Sequence, residues 1–288
     1  MIYLAIVSLI WAFSFGLIGK YLAGVDSYLI ATIRLGLVLL VALPFIRIKG
    51  LKRSDQTMLM ICGAIQFGLM YVCYIKVFQY LPSHLVALFS ILTPVYVVLI
   101  HDIKNRKWTP HYFIPALLSV GGTAVIRANN DFSGNIWLGF GLMQAAGIAF
   151  AFGQVTYRDW KRAHPKVKDR EVFGLLAAGG TITALVFALL LSDWSKLPTT
   201  AAHWSTLLYL GCIASGLGFF LWNKGASLTS PGTLGAFNNV VVPVGIAVSL
   251  FIFGEIKGAS PEELTRLVIG SVLIGAALFI GQHKSQKS

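Results

Sequence analysis

The segment Tyr80-Leu-Pro-Ser-His-Leu-Val-Ala-Leu-Phe-Ser-Ile-Leu-Thr-Pro94 has a counterpart late in the chain, Thr229-Ser-Pro-Gly-Thr-Leu-Gly-Ala-Phe-Asn-Asn-Val-Val-Val-Pro243. In each, a proline in a polar entry leads into an apolar run, and a second proline follows 12 residues later. At this offset Ala87 matches Ala236 and Ser90 matches Asn239. Outward from this pair, Trp11-Ala12-Phe13 resembles Phe150-Ala151-Phe152, and the glycines Gly121-Gly122 and Gly270…Gly275 sit in small-residue stretches near each end. The chain therefore reads as two similar halves, residues 1–130 and 131–288.

The rest of the composition says what surrounds those halves. Of 288 residues 56% are hydrophobic and 12% charged, about half the charged content of a soluble domain. A soluble core cannot absorb so much apolar surface, whereas a bilayer can. A helix needs about 20 apolar residues to cross the hydrocarbon. Such runs occur at Ile2–Tyr21, Ser27–Ile46, Thr57–Tyr80, Leu85–His101, Tyr112–Ile126, Ile136–Tyr157, Val172–Leu191, Thr206–Asn223, Thr233–Gly254 and Leu267–Gly281. The predicted fold class is an all-α membrane protein of ten transmembrane helices, five in each half. The first run lacks a basic leader and a small-residue cleavage site, so it reads as a retained helix.

An odd number of spans per half makes the two halves enter the membrane in opposite orientations, the inverted repeat typical of secondary transporters. The net charge of +12 resides mostly in short loops and reads as a topology signal. With the N-terminus inside, about 16 Lys and Arg fall on cytoplasmic segments against about 5 outside. Both termini are then cytoplasmic, and the expected location is the cell inner membrane. No basic-aromatic module points to nucleic acid. Cys62, Cys73 and Cys212 all lie in apolar runs with no CxxC pair, against a disulfide framework or a zinc site. No histidine pair has metal-ligand spacing, and no cofactor is expected.

Within the spans, Arg34 and Lys76 are the intramembrane charges, and no Asp or Glu falls mid-span. A charge at a helix centre costs roughly 2.5–3.5 kcal/mol on insertion scales. Arg34 either faces a cavity or has a structural partner; Lys76 either faces inward or snorkels to the outer interface. Lys76 shares a helical face with Cys62, Gln66, Cys73 and Tyr80, and Tyr74 joins the candidate set from the same helix. Asn238 and Asn239 precede Pro243, and Ser90 precedes Pro94. Because proline disturbs the bond to the carbonyl four residues back, these irregular stretches either hydrogen-bond substrate or pack helix on helix through amides. Gln144 and Gln154 share a face of the sixth span with Gly147 and Ala151. Trp11, Ser14 and Phe15 group in the first span, Phe219 and Trp222 in the eighth. These aromatics form either a substrate cage or plain core. His84 reads as an interface residue and Glu255 as half of a local ion pair with Lys257. A positive cavity with no carboxylate favours an anionic substrate and weakens proton coupling.

The run Leu9-Ile-Trp-Ala-Phe-Ser-Phe15, Tyr80-Leu-Pro-Ser with Leu92-Thr-Pro94, Phe219-Phe-Leu-Trp-Asn-Lys-Gly-Ala226, Pro243, Gly254-Glu255 and the closing Gly270…Gly275 resemble the drug/metabolite transporter superfamily in its EamA-like ten-helix branch. The likeness spans nearly the whole chain. It departs after the fourth span, where Asp102-Ile-Lys-Asn-Arg-Lys replaces the Gly-Glu ending. The resemblance implies a central cavity lined by helices 1–4 and 6–9, peripheral helices 5 and 10, and alternating access, often for amino-acid or metabolite export. The expected activity is therefore secondary transport of an amino acid or organic carboxylate, by export, facilitated diffusion or exchange. The expected partners are a small-molecule substrate and membrane lipid, with the protein a monomer or dimer. A flippase for lipid-linked substrates is the alternative. No catalytic constellation supports an enzyme.

Overall fold

A computed structural model describes residues 1–81, 86, 89–126, 135–247 and 261–285. The junction between the halves, His84 and Glu255 lie outside the described residues, as does the side chain of Phe15. The regular secondary structure of the described residues is all helical, with no strands among them. In chain order the helices are α1 (Ile2–Tyr21), α2 (Ser27–Ala42), α3 (Arg53–Val77), α4 (Thr93–Asn105), α5 (Pro110–Ile126), α6 (Ile136–Ala163), α7 (Asp169–Leu191), α8 (Ala201–Ser227), α9 (Pro231–Ala247) and α10 (Pro261–Ser285). Six apolar stretches are long enough to cross a membrane by length and composition: Ser27–Phe45, Arg53–Val77, Ile136–Ala163, Asp169–Leu191, Ala201–Ser227 and Leu264–Gly281.

Several helices run past their apolar runs. The third begins at Arg53, the sixth continues to Ala163 and the eighth begins at Ala201. Hydropathy marks only the stretch that suits hydrocarbon, while polar ends continue when the fold gives them partners. At the end of α6, Trp160 Nε1 donates to Asp55 at 2.9 Å and Tyr157 Oη donates to Asp169 at 2.7 Å. At the start of α2, Asp26 accepts from the backbone N–H groups of Tyr28 and Leu29 at 2.9 and 3.1 Å, satisfying two donors that an open helix terminus leaves free.

Packing follows an exchange of α1–α5 with α6–α10. α2 packs on α7, α4 on α9 and α5 on α10; α3 on α7 is matched by α8 on α2, and α1 on α9 by α6 on α4. Both third-position helices also carry a π-helical insertion, Ala64–Leu69 in α3 and Tyr209–Leu217 in α8. Hydropathy gave no sign of either, because a π turn changes hydrogen-bond register without changing side-chain polarity. Small residues allow the closest approaches. A Cβ on Gly63 would lie 1.9 Å from the Leu176 carbonyl oxygen, and one on Gly179 would lie 1.9 Å from that of Met60. Where lipid tails compete with apolar side chains, such backbone proximity replaces the hydrophobic driving force. Leu189, Leu190 and Val272 face outward, as lipid contact requires.

Candidate functional site

A partly open cavity of about 750 Å³, counting the space at its mouth, lies between the two sets of helices. Trp11, Ser14 and Ile18 of α1 line it, with Arg34 of α2, and Met70, Tyr71 and Tyr74 of α3. Ser90 and Thr93 contribute from the start of α4, Met143, Ala146, Gly147 and Phe150 from α6, Phe219 from α8, and Asn238 and Val241 from α9. The described lining comes from seven helices; α7, expected to line the cavity, contributes none of it, and neither do α5 and α10.

Arg34 is the charged residue of this lining and is 3% exposed. Its Nη2 donates to Tyr71 Oη at 2.6 Å and to Ser215 Oγ at 3.0 Å, and its Nε donates to Ser215 Oγ at 3.2 Å. The guanidinium also lies over the Tyr71 ring, 4.4 Å from its centroid. Ser215 Oγ sits 2.6 Å from the Leu210 carbonyl, which can only accept. That uses the serine proton, so the 2.9 Å contact with Tyr71 has the tyrosine as donor. Every partner of the guanidinium is thus neutral. Its Nη1 is buried and has no hydrogen-bond partner, and among the described ion pairs none involves Arg34. A buried cation normally has a counter-charge. Here the cavity offers the place for one.

The π-helical insertion in α8 makes this arrangement. It presents Ser215 to α2 and leaves the Ala214 carbonyl for Trp11 Nε1, which donates to it at 2.7 Å. The Trp11 ring stacks on Trp222 with centroids 4.8 Å apart and meets Phe219 edge-on at 5.9 Å. Phe219 in turn stacks on Phe67 at 4.4 Å. A rigid aromatic wall results. A Cβ on Gly218 would lie 2.8 Å from Trp11 Nε1, so glycine there admits the indole.

Of the side chains singled out from sequence, Trp11, Ser14, Arg34, Tyr74, Ser90, Phe219 and Asn238 line the cavity. The other described ones sit behind or away from it. Gln66 pairs with Asn223 across α3 and α8, its Nε2 donating to Oδ1 at 2.8 Å. Gln154 Oε1 accepts from Trp222 Nε1 at 2.9 Å. Lys76 lies over the Tyr28 ring, 4.9 Å from its centroid.

Gln144 and Asn239 serve the irregular backbone before Pro94, where a 3₁₀ turn, Ser90–Leu92, precedes α4. Gln144 Nε2 donates to the Phe89 carbonyl at 3.0 Å, Thr93 Oγ1 to that of Ser90 at 2.8 Å, and Asn239 Nδ2 to that of Ile91 at 3.1 Å. Carbonyls loosened near a proline are therefore occupied by side chains of both halves. Tyr71, Ser215, Phe150 and the methionines Met70 and Met143 escaped the sequence reading. Tyr71 sits three residues from Tyr74 on the same helix, a weak signal; Ser215 depends on the π register and has none.

Residues 1–128 match the EamA-like transporter family. The chain is 40% identical over 284 residues to a "Probable biotin transporter" of Pseudomonas aeruginosa, covering 98% of this chain and 97% of that one. It is 37% identical over 284 residues to a "Biotin transporter" of Escherichia coli K12, covering 97% of this chain and 92% of that one. A solved protein crystal structure, 18% identical, aligns with 99% of this chain and 98% of its own with a TM-score of 0.76, a likeness of fold.

Proposed function

This chain belongs to the EamA-like transporter family, and from that premise we propose that its cargo is biotin or a close carboxylate analogue. It is a multi-pass inner-membrane transporter of a small metabolite, not an enzyme. The observation that carries the choice of cargo is the Arg34 guanidinium, buried at the cavity with neutral partners and an unpaired Nη1. A substrate carboxylate can accept from it as a charge-assisted pair, which is shorter and roughly twice as strong as a neutral hydrogen bond. The relatives' names supply biotin, whose carboxylate ends an aliphatic chain. Trp11, Met70, Met143, Phe150 and Phe219 provide apolar contact for that chain and the bicyclic rings.

A free amino acid fits less well. Its ammonium group needs an anionic or dense carbonyl partner, and no Asp or Glu is among the described lining residues.

Ten spans, cytoplasmic termini and two inverted halves, 1–130 and 131–288, complete the reading. The reciprocal packing of α1–α5 and α6–α10 and the paired π insertions support it, as does the loop charge asymmetry. In that orientation the cavity lies toward the outer side. Toward the cytoplasm, Arg158 Nε and Arg162 Nη2 each donate to the Thr229 carbonyl at 2.9 Å, tying α6 to the α8–α9 turn. Release of these ties and closure above Arg34 would exchange access between the two sides.

The test is counterflow of labelled biotin in proteoliposomes loaded with unlabelled biotin. Saturable accumulation that the Arg34→Gln variant lacks is the expected result. No accumulation by the native protein removes biotin as cargo. For topology, impermeant thiol labelling of cysteines placed at each terminus should react only from the cytoplasmic side.

A further inference from the structure

The cavity has a second polar place besides Arg34, and the hydrogen bonds around it determine which atom it offers. The indole N–H of Trp222 can only donate. It donates to Gln154 Oε1 at 2.9 Å, which fixes the glutamine amide. On α9, Asn238 Nδ2 donates to the Leu234 carbonyl at 2.9 Å, an oxygen that can only accept, which fixes the asparagine amide. The remaining contacts between the two amides are long: Gln154 Nε2 to Asn238 Oδ1 and Asn238 Nδ2 to Gln154 Oε1 are both 3.4 Å. Asn238 lines the cavity. Its carbonyl oxygen is therefore a held acceptor with hydrogen-bonding capacity to spare.

Trp11 links the surroundings of this acceptor to those of Arg34. One face of its ring system stacks on Trp222, which holds Gln154 and through it Asn238. Its own N–H engages the Ala214 carbonyl, next to the Ser215 that binds Arg34. The cavity thus has a cationic donor pole and a neutral acceptor pole, with aromatic surface between them.

We propose that Asn238, its amide held by the Leu234 carbonyl, is a specificity-determining residue that accepts an N–H from the substrate's head group, so that the protein selects carboxylates bearing a urea-like or amide N–H donor at the end remote from the carboxylate. This rests on the carboxylate reading of Arg34. It separates substrates that Arg34 alone treats alike. An α-amino acid holds its N–H donors one carbon from the carboxylate, on an ammonium for which the described lining offers no anionic partner. Biotin carries a neutral ureido group across its ring system from the carboxyl chain.

The experiment is competition against labelled biotin counterflow by desthiobiotin, which keeps both carboxylate and ureido groups, and by lipoate, which keeps a carboxylate on a similar chain and lacks any N–H. In the native protein desthiobiotin competes well and lipoate about 10- to 100-fold less well, the range set by one buried acceptor left without its donor. In Asn238→Ala the apparent affinity for biotin falls by a similar factor while that for lipoate changes less than about threefold, so the discrimination collapses. A monodisperse elution profile and a native thermal transition for each variant confirm folding; where Asn238→Ala fails this check, Asn238→Ser takes its place with the same expected outcome. Equal competition by lipoate in the native protein, or parallel loss of both ligands in the Asn238 variant, overturns this proposal and leaves the Arg34 reading standing. Absence of biotin counterflow in the native protein overturns both.

Discussion

The two π-helical insertions occupy the same place in the two halves and serve different ends. In α3 the insertion lies against α7, where Gly179 and Gly180 leave no room for side chains: a Cβ on Gly180 would lie 2.8 Å from Phe67 Cβ and 3.2 Å from the Gly63 carbonyl oxygen. In α8 the insertion lies against α2, where the partner carries Arg34, and Ser215 and Ala214 turn their polar atoms to Arg34 and Trp11. One helix pair is dry and backbone-close, while the other holds a cation. Two helices with matching packing partners can therefore share a backbone irregularity and use it for packing on one side and for recognition on the other.

The largest expected effect breaks the α2–α8 side. Arg34→Gln should weaken biotin counterflow at least about 30-fold, because truncating a buried charged partner costs roughly 2–5 kcal/mol. Retained transport would remove the recognition half of the comparison. The α3–α7 side should respond in stability instead. Gly179→Val places a side chain where Met60 backbone stands 1.9 Å away, and overpacking costs about 1–3 kcal/mol or more. Its thermal transition in detergent should fall well below that of Gly216→Ala in the α8 insertion, where the nearest atom is the Gly211 carbonyl oxygen at 3.2 Å. The reverse order would show that the α3 insertion is not the packing element.

Ser215→Ala sharpens the contrast. It removes an acceptor shared by Arg34 and Tyr71 at about 1 kcal/mol per bond, so apparent substrate affinity should drop by roughly 5- to 30-fold with a near-native thermal transition. Lys76→Gln should change transport by less than about threefold, since Lys76 rests on the Tyr28 ring and does not line the cavity. A loss as large as that of Arg34→Gln would place the transport pathway elsewhere.

The smallest effect lies outside the helices, after α7. Hydrogen bonds from the Ser195 hydroxyl, Lys196 and the Ser195 N–H hold the Asp193 carboxyl down at about 2, against an ordinary 3.8. Its contribution is complete above the ordinary value and is lost as pH falls toward 2. Asp193→Asn should leave counterflow at pH 7 unchanged and flatten the acid limb of a thermal-stability profile between pH 4 and 2.

Much of the fold was legible because the bilayer simplifies the code. Runs of apolar residues, the shared proline interval and the family likeness indicated helices and a transporter without any knowledge of packing. Arg34 stood out for the same reason: a charge among apolar residues needs a cause. The amides were harder. Asn238 and Asn239 are adjacent and identical in type, yet one lines the cavity and the other supports the Ile91 carbonyl. Neighbouring helical residues point about 100° apart, and only the position of α4 decides which one faces it.

The sequence by itself determined that the chain is helical, lives in lipid, belongs among transporters and carries a cation where hydrocarbon should be. Those properties follow from side-chain polarity summed along the chain, which needs no neighbours. Tertiary structure alone decided that Ser215 and Tyr71 hold that cation, that Lys76 rests on Tyr28, and that Gln66 and Gln144 support the frame. A hydrogen bond depends on distance and direction between atoms far apart in sequence, and two unannounced π turns set both.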